Sequence, residues 1–263
     1  MLKGLYTAYT GMINEQHRMD VMTNNLANAT TNGYKKEGAT SQAFNDVLTY
    51  KIKDLSEGRG ITKPLGKNNF GVKIGEGYTD YSDGPMRESD SDFDLAIAGP
   101  GFFEISYTNK AGETSRKYTR DGSFTMNMQG YLMTHDGDYV VGTDNRNIRL
   151  DPLLDFRVDT SGNIMQGDSN APVATIRIRD FEDYNYVEKF GENQNLYQAA
   201  EGANVRDAEN ARVYQGYLEG SNISVVTEMV NMINISRAYE TNQKVIQTYD
   251  STLDKAVNQL GRL

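Results

Sequence analysis

Residues 225–260 read VVTEMVNMINISRAYETNQKVIQTYDSTLDKAVNQL, and the spacing of their apolar side chains decides the fold class. A seam runs through Val225, Met229, Met232, Ser236, Tyr239, Gln243, Ile246, Asp250, Leu253, Val257 and Leu260 in steps of three or four. That is the period of a helix packing along one line against another helix. A second apolar row at Val226, Val230 and Ile233 widens the face in the first turns beyond the needs of a two-stranded seam. Ser221 or Ser224 can cap the start, and Glu228 suits the first turns. At about 1.5 Å per residue such a helix is on the order of 54 Å long. A rod of that length cannot pack wholly against one small domain.

The opposite end follows the same rule. Leu2, Leu5, Tyr9, Met12, Met19, Met22 and Leu26 keep a three-four alternation, interrupted by the polar Gln16. The run ends in NNLANATTNGYKK, residues 24–36, where Asn32-Gly33 offers a left-handed helix stop. The expected helix runs from about Leu2 to Thr30. All five prolines, Pro64, Pro85, Pro100, Pro152 and Pro172, lie between the two arms, which leaves both ends free to be long helices. Charge divides the chain in the same way, because both ends are nearly balanced and the middle carries the acidic surplus.

Between the arms the period changes to two. Strands are expected at Asp94–Ile97, Phe102–Tyr107, Tyr131–Thr134, Tyr139–Val141 and Val173–Arg179, parted by turns such as Asp121-Gly122, Gln129-Gly130 and Asp136-Gly137. The expected class is α+β, with long N- and C-terminal helices pairing as a coiled coil around an antiparallel all-β domain. The expected organisation is an N-terminal helical arm with its turn over 1–44, an extended connecting segment over 45–75, a β-rich middle domain over 76–217 and a C-terminal arm over 218–263. The connecting segment is rich in Lys, Gly and Asn and fits neither period.

Composition removes many functions. With 27 basic against 36 acidic residues the net charge is −9 and the pI about 4.9, which argues against nucleic acid as a partner. Without Cys there is no thiol nucleophile, Cys-ligated zinc or disulfide. Only His17 and His135 could supply imidazole, and nothing brings them together. Asp90, Asp92 and Asp94 open like a calcium loop, but the sixth and twelfth positions hold Leu95 and Gly101 instead of Gly and Glu. Gly75-Glu76-Gly77 and Gly99-Pro100-Gly101 lack the continuation of a phosphate loop. The longest apolar stretch, near Leu95–Phe103, is about half of the roughly 20 residues that span a bilayer. The amino terminus does not read as a cleaved signal peptide. No catalytic residue, metal, cofactor or small-molecule substrate is expected. A carboxylate pair in the middle domain stays open, so an oligomeric enzyme is the remote alternative.

Four blocks carry a family resemblance. Leu5, Gly11, Met12, Asp20, Asn24-Asn25-Leu26-Ala27-Asn28, Thr31 and Gly33-Tyr34-Lys35 resemble the opening signature of the bacterial flagellar rod and hook proteins. Tyr214-Gln215-Gly216-Tyr217-Leu218-Glu219, Ser221-Asn222, Glu228-Met229-Val230-Asn231-Met232-Ile233 and Arg237-Ala238-Tyr239-Glu240 are similar to its closing signature. Ile97–Phe103 and Tyr118–Phe124 are similar to blocks of its β domain.

The resemblance implies a structural subunit of the flagellar basal-body rod in the cell envelope, exported by the flagellar type III apparatus and polymerising helically into the drive shaft that carries torque to the hook. The hook protein usually carries an outer domain for which this chain has no room. Ala238-Tyr239-Glu240 with Gln243-Lys244-Val245-Ile246 resembles distal rod members most; a proximal rod or hook-junction subunit is the alternative. Implied partners are the chain itself, other rod subunits, the hook protein and surrounding ring proteins. The expected assembly interface comprises Leu5, Tyr9, Met12, Met19, Met22, Leu26, Asn24, Asn25 and Asn28 on the first arm. On the second arm it comprises Val225, Met229, Met232, Tyr239, Ile246, Leu253, Val257 and Leu260.

Overall fold

Helix α1 spans Leu2–Ala27 and helix α2 spans Val225–Asn258, with β-structure between them, in a computed structural model that describes residues 2–51, 63–109, 112–167, 171–191, 195–208 and 210–258. The class is therefore α+β. Helix α1 stops at Ala27, short of the expected Thr30. The Asn and Thr residues that follow favour turns over helix interior, and Thr31 N–H donates to Asn28 O at 3.2 Å. Gly33 then takes φ +67°, the left-handed geometry expected of the stop. Leu260 lies outside the described residues.

The chain divides into two compact units, Met1–Leu26 with Glu37–Tyr78 and Val225–Leu263, and Ala27–Lys36 with Thr79–Ser224. In the first unit, strand Glu37–Ala43 pairs with Val72–Thr79. Val47–Lys51 and Lys63–Asn68 form an antiparallel hairpin whose register shifts between Thr49 and Tyr50. The segment over 45–75 thus carries paired strands, although its hydrophobic pattern is too weak to announce them. Its backbone finds partners on α1, where Thr10 Oγ1 donates to Phe70 O at 3.4 Å.

The second unit is built around strand Phe102–Thr108. It pairs antiparallel with Thr114–Thr119 on one side and with Tyr139–Val140 and Ile178–Phe181 on the other. Successive side chains alternate faces, so Phe103 enters a core with Leu95, Phe124, Leu132 and Ile164, while Phe102 enters a second cluster with Phe181 and Tyr197. Each fully buried side chain of this size contributes roughly 1.5–3 kcal/mol. Burial on both faces also encloses Glu104, which is possible because Arg179 Nε and Arg116 Nε stand 3.1 and 3.5 Å from its carboxylate. The expected strand over 173–179 is two short ones, Ala174–Thr175 and Ile178–Phe181.

Three late segments return to early ones. Arg212–Gln215 pairs with Leu95–Ala98, and Tyr217–Glu219 pairs with Met86–Glu88. Ile223 buries against Ala29 and Tyr34.

Candidate assembly site

Helix α2 presents two different faces. Glu228 and Ile235 are buried, and Asn242, Tyr249 and Ala256 are half-buried at the same seven-residue spacing. Beside them runs the half-buried row Met232, Tyr239, Ile246 and Leu253. Met229, Gln243, Asp250 and Val257, the row that apolar spacing sets next to it, are exposed. One row of the expected seam therefore lies on the covered face from Met232 onward, with Val225 at its start 41% exposed, and the other, apart from the half-buried Ser236, is displaced by one residue. Apolar content favours Met229 and Val257 over Glu228 and Asn242, but packing uses the row that holds Glu228 and Asn242. The displaced face is apolar and open near its start, with Val226 74%, Met229 51%, Val230 52% and Ile233 53% exposed. These four fall at i, i+3, i+4 and i+7, a single helical stripe.

Helix α1 meets α2 through small residues. A Cβ on Gly4 would lie 2.2 Å from Tyr249 Oη, and one on Gly11 would lie 3.0 Å from Asn242 Nδ2. The glycines and their partners are each seven apart in opposite chain directions, so the helices run antiparallel at these contacts. Ala8, between the glycines, is buried. Small residues carry little hydrophobic signal, which is why apolar spacing passes over this face; the Gly4, Ala8, Gly11 spacing could have marked it. Of the expected interface residues of the first arm, Tyr9 is 51% exposed, and Leu5, Met12, Met19, Met22, Asn24 and Leu26, with Asn28 in the turn after α1, are half-buried. Asn25 is fully buried. Its Nδ2 donates to Glu37 O at 2.7 Å, and its Oδ1 accepts from Glu37 N–H at 2.9 Å. That side chain serves the chain's own backbone, closing the return from α1 into strand Glu37–Ala43.

The segments that lead out of α1 and into α2 converge within the second unit on one carboxylate. Glu219 Oε1 accepts from Lys35 Nζ at 2.6 Å and from Gly84 N–H at 2.9 Å, and Oε2 accepts from Arg120 Nη1 at 3.0 Å. Lys35, Arg120 and Glu219 have side chains only 1–2% exposed. Burial, and then the Arg120 charge, hold the Lys35 ammonium below its ordinary range against the opposing pull of Glu219. Lys35 also donates to Ser82 O at 2.8 Å and Arg120 Nη2 to Gly99 O at 2.7 Å. The four sequence blocks singled out above thus supply Lys35, Gly99, Arg120 and Glu219 to one place. Their distance along the chain hides this relationship from any local pattern.

The other polar candidates have local roles. Asp94 is buried and accepts from Ser89 Oγ, which engages the third carboxylate of the Asp90, Asp92, Asp94 run. Among the described residues no group of three metal-ligating side chains is gathered. His17 lies on α1, and His135 lies near Asp121, whose carboxyl is raised chiefly by burial while accepting from Ser123 Oγ at 2.7 Å. Asp138 is also raised chiefly by burial. No described helix is long and apolar enough to cross a membrane.

Known proteins share these blocks. Residues 5–35 match the family described as flagella basal body rod protein, residues 96–166 the flagellar hook protein FlgE/F/G D1 domain, and residues 214–260 the flagellar basal body rod FlgEFG protein C-terminal. The flagellar basal-body rod protein FlgG of Buchnera aphidicola subsp. Schizaphis graminum is 32% identical, over 97% of this chain and 98% of its own length. FlgG of Caulobacter vibrioides is 34% identical over 98% and 99% of the two chains. The flagellar basal-body rod protein FlgF of the same bacterium is 31% identical over the full length of both.

Proposed function

The chain belongs to the bacterial flagellar basal-body rod family as a structural subunit of the rod, and from that premise we propose that it forms the distal segment by helical homopolymerisation through its terminal helices. The observation that carries this reading is the exposed stripe Val226, Met229, Val230 and Ile233 at the root of α2. Four large apolar side chains on one helical face leave a surface that water does not favour and a neighbouring subunit can cover. The antiparallel contacts at Gly4 and Gly11 support a coiled-coil pairing of the two arms, which would present this stripe on a defined support. FlgG relatives at 32% and 34% identity favour the distal position, and the FlgF relative at 31% keeps the proximal rod as the second reading.

In this reading the subunit carries torque and catalyses nothing. Its partners are copies of itself, other rod subunits, the hook protein and the rings around the shaft, and it reaches its place through the flagellar type III export apparatus. Leu5, Tyr9, Met12, Met19, Met22, Leu26 and Asn24 on α1 and Asn28 just after it, with Val225, Met229, Met232, Tyr239, Ile246, Leu253 and Val257 on α2, form the assembly surface; Asn25 supports it from within.

Met229→Asp tests the proposal. At an exposed site it should shift monomer stability by no more than about 0.5 kcal/mol, yet a charge in a buried subunit contact should abolish polymerisation. Polymers of normal length, measured by sedimentation and electron microscopy, would refute the placement of the stripe. Position within the rod is read separately, by locating a tagged chain in isolated basal bodies.

A further inference from the structure

We propose that Glu219 is the coupling residue of a latch through which the roots of both terminal helices, residues 29–36 after α1 and 219–223 before α2, open and close together. Each root has its own bonds to the other. Gly33 N–H donates to Glu219 O at 2.8 Å, Lys35 Nζ to Glu219 Oε1 at 2.6 Å, and Lys36 N–H to Asn222 Oδ1 at 2.8 Å. Asn222 Nδ2 in turn donates to Asp80 O at 2.8 Å, whose own N–H donates to Lys36 O at 2.8 Å.

Electrostatics makes the opening of one root costly to the other. Lys35 and Arg120 are both enclosed and share the Glu219 carboxylate. A further acid near Arg120 is Asp83, at 3.6 Å and half exposed to water. If residues 219–223 leave, two cations stay behind without their common counter-charge, a state that a protein interior tolerates poorly. Lys35 must then leave as well, and its departure draws Gly33–Lys36 out. By linkage the coupling is reciprocal, so loosening the first root also loosens the second.

Amide hydrogen exchange on the full-length monomer tests this with Lys35→Met, which removes the first root's charge and leaves Glu219 and Arg120 in place. The expected result is faster exchange, on the order of a hundredfold, at 33–36 and at 219–223 alike. The strand amides of Ile105 and Val140 should keep their protection. Acceleration confined to 33–36 would overturn the coupling. Equal acceleration at Ile105 and Val140 would show that the roots belong to the global unfolding unit, and no acceleration anywhere would show that Lys35 holds nothing; either result also overturns the proposal. Asn222→Ala repeats the test from the second root without touching a charge, so it decides the matter if Lys35→Met fails to fold. Acceleration at 219–223 without any at 33–36 in this variant would refute the latch.

Discussion

The hydroxyl of Tyr249 on α2 occupies the space that a side chain at Gly4 on α1 would need, with only 2.2 Å between Tyr249 Oη and an added Cβ. Gly4 therefore leaves the room against α1 that the tip of the Tyr249 ring fills. Gly4→Ala should destabilise the arm pair by about 1–3 kcal/mol through overpacking, although alanine alone would favour the helix by about 1 kcal/mol. Thermal unfolding followed by helical circular dichroism measures the balance. A higher midpoint in the variant would mean that Tyr249 yields without loss.

The Asn25 side chain holds the Glu37 backbone by giving and receiving one hydrogen bond. Asn25→Ala should cost about 1–3 kcal/mol, because a fully buried side chain loses both of its hydrogen bonds to Glu37. Asn25→Asp keeps the acceptor but cannot donate to Glu37 O, so it should not restore stability. Urea midpoints at constant slope give the comparison, and a neutral Asn25→Ala would remove this role.

Gly33 has φ +67°, and a Cβ there would lie 2.4 Å from the Arg120 carbonyl carbon. A left-handed alanine costs roughly 1–2 kcal/mol by itself, and the backbone opposite cannot move aside as a side chain can. Gly33→Ala should therefore lower stability by more than about 2 kcal/mol. Equilibrium denaturation checks this, and an unchanged midpoint would show that the turn can be rebuilt.

Asp180 provides the pH dependence. Burial raises its carboxyl, but hydrogen bonds from Tyr184 Oη at 2.8 Å and Arg206 Nη2 at 2.7 Å outweigh burial and leave it below the ordinary value of 3.8. A lowered acid stabilises the fold above its unfolded pKa and loses that contribution as pH falls through its folded value. The difference in melting temperature between the parent chain and Asp180→Asn should therefore be largest near about pH 6 and shrink toward about pH 3. A difference that grows on acidification would reverse the assignment.

By itself the sequence determined the two helical arms, the β character between them and the family, because each is written in local terms. Steps of three and four from Val225 to Leu253 define a helix, alternation around Phe102 and Phe103 defines a strand, and signature blocks such as Gly33-Tyr34-Lys35 stand contiguous in the chain. Tertiary structure decided which α2 row is covered, since Glu228 and Asn242 carry less apolar signal than Met229 and Val257 yet face inward. It also decided the pairing of Val47–Lys51 with Lys63–Asn68 and the small-residue face of Gly4, Ala8 and Gly11. The Glu219 cluster is the clearest case. Lys35, Arg120 and Glu219 are far apart along the chain, each reads locally as an ordinary surface charge, and only burial in a common place makes each necessary to the others.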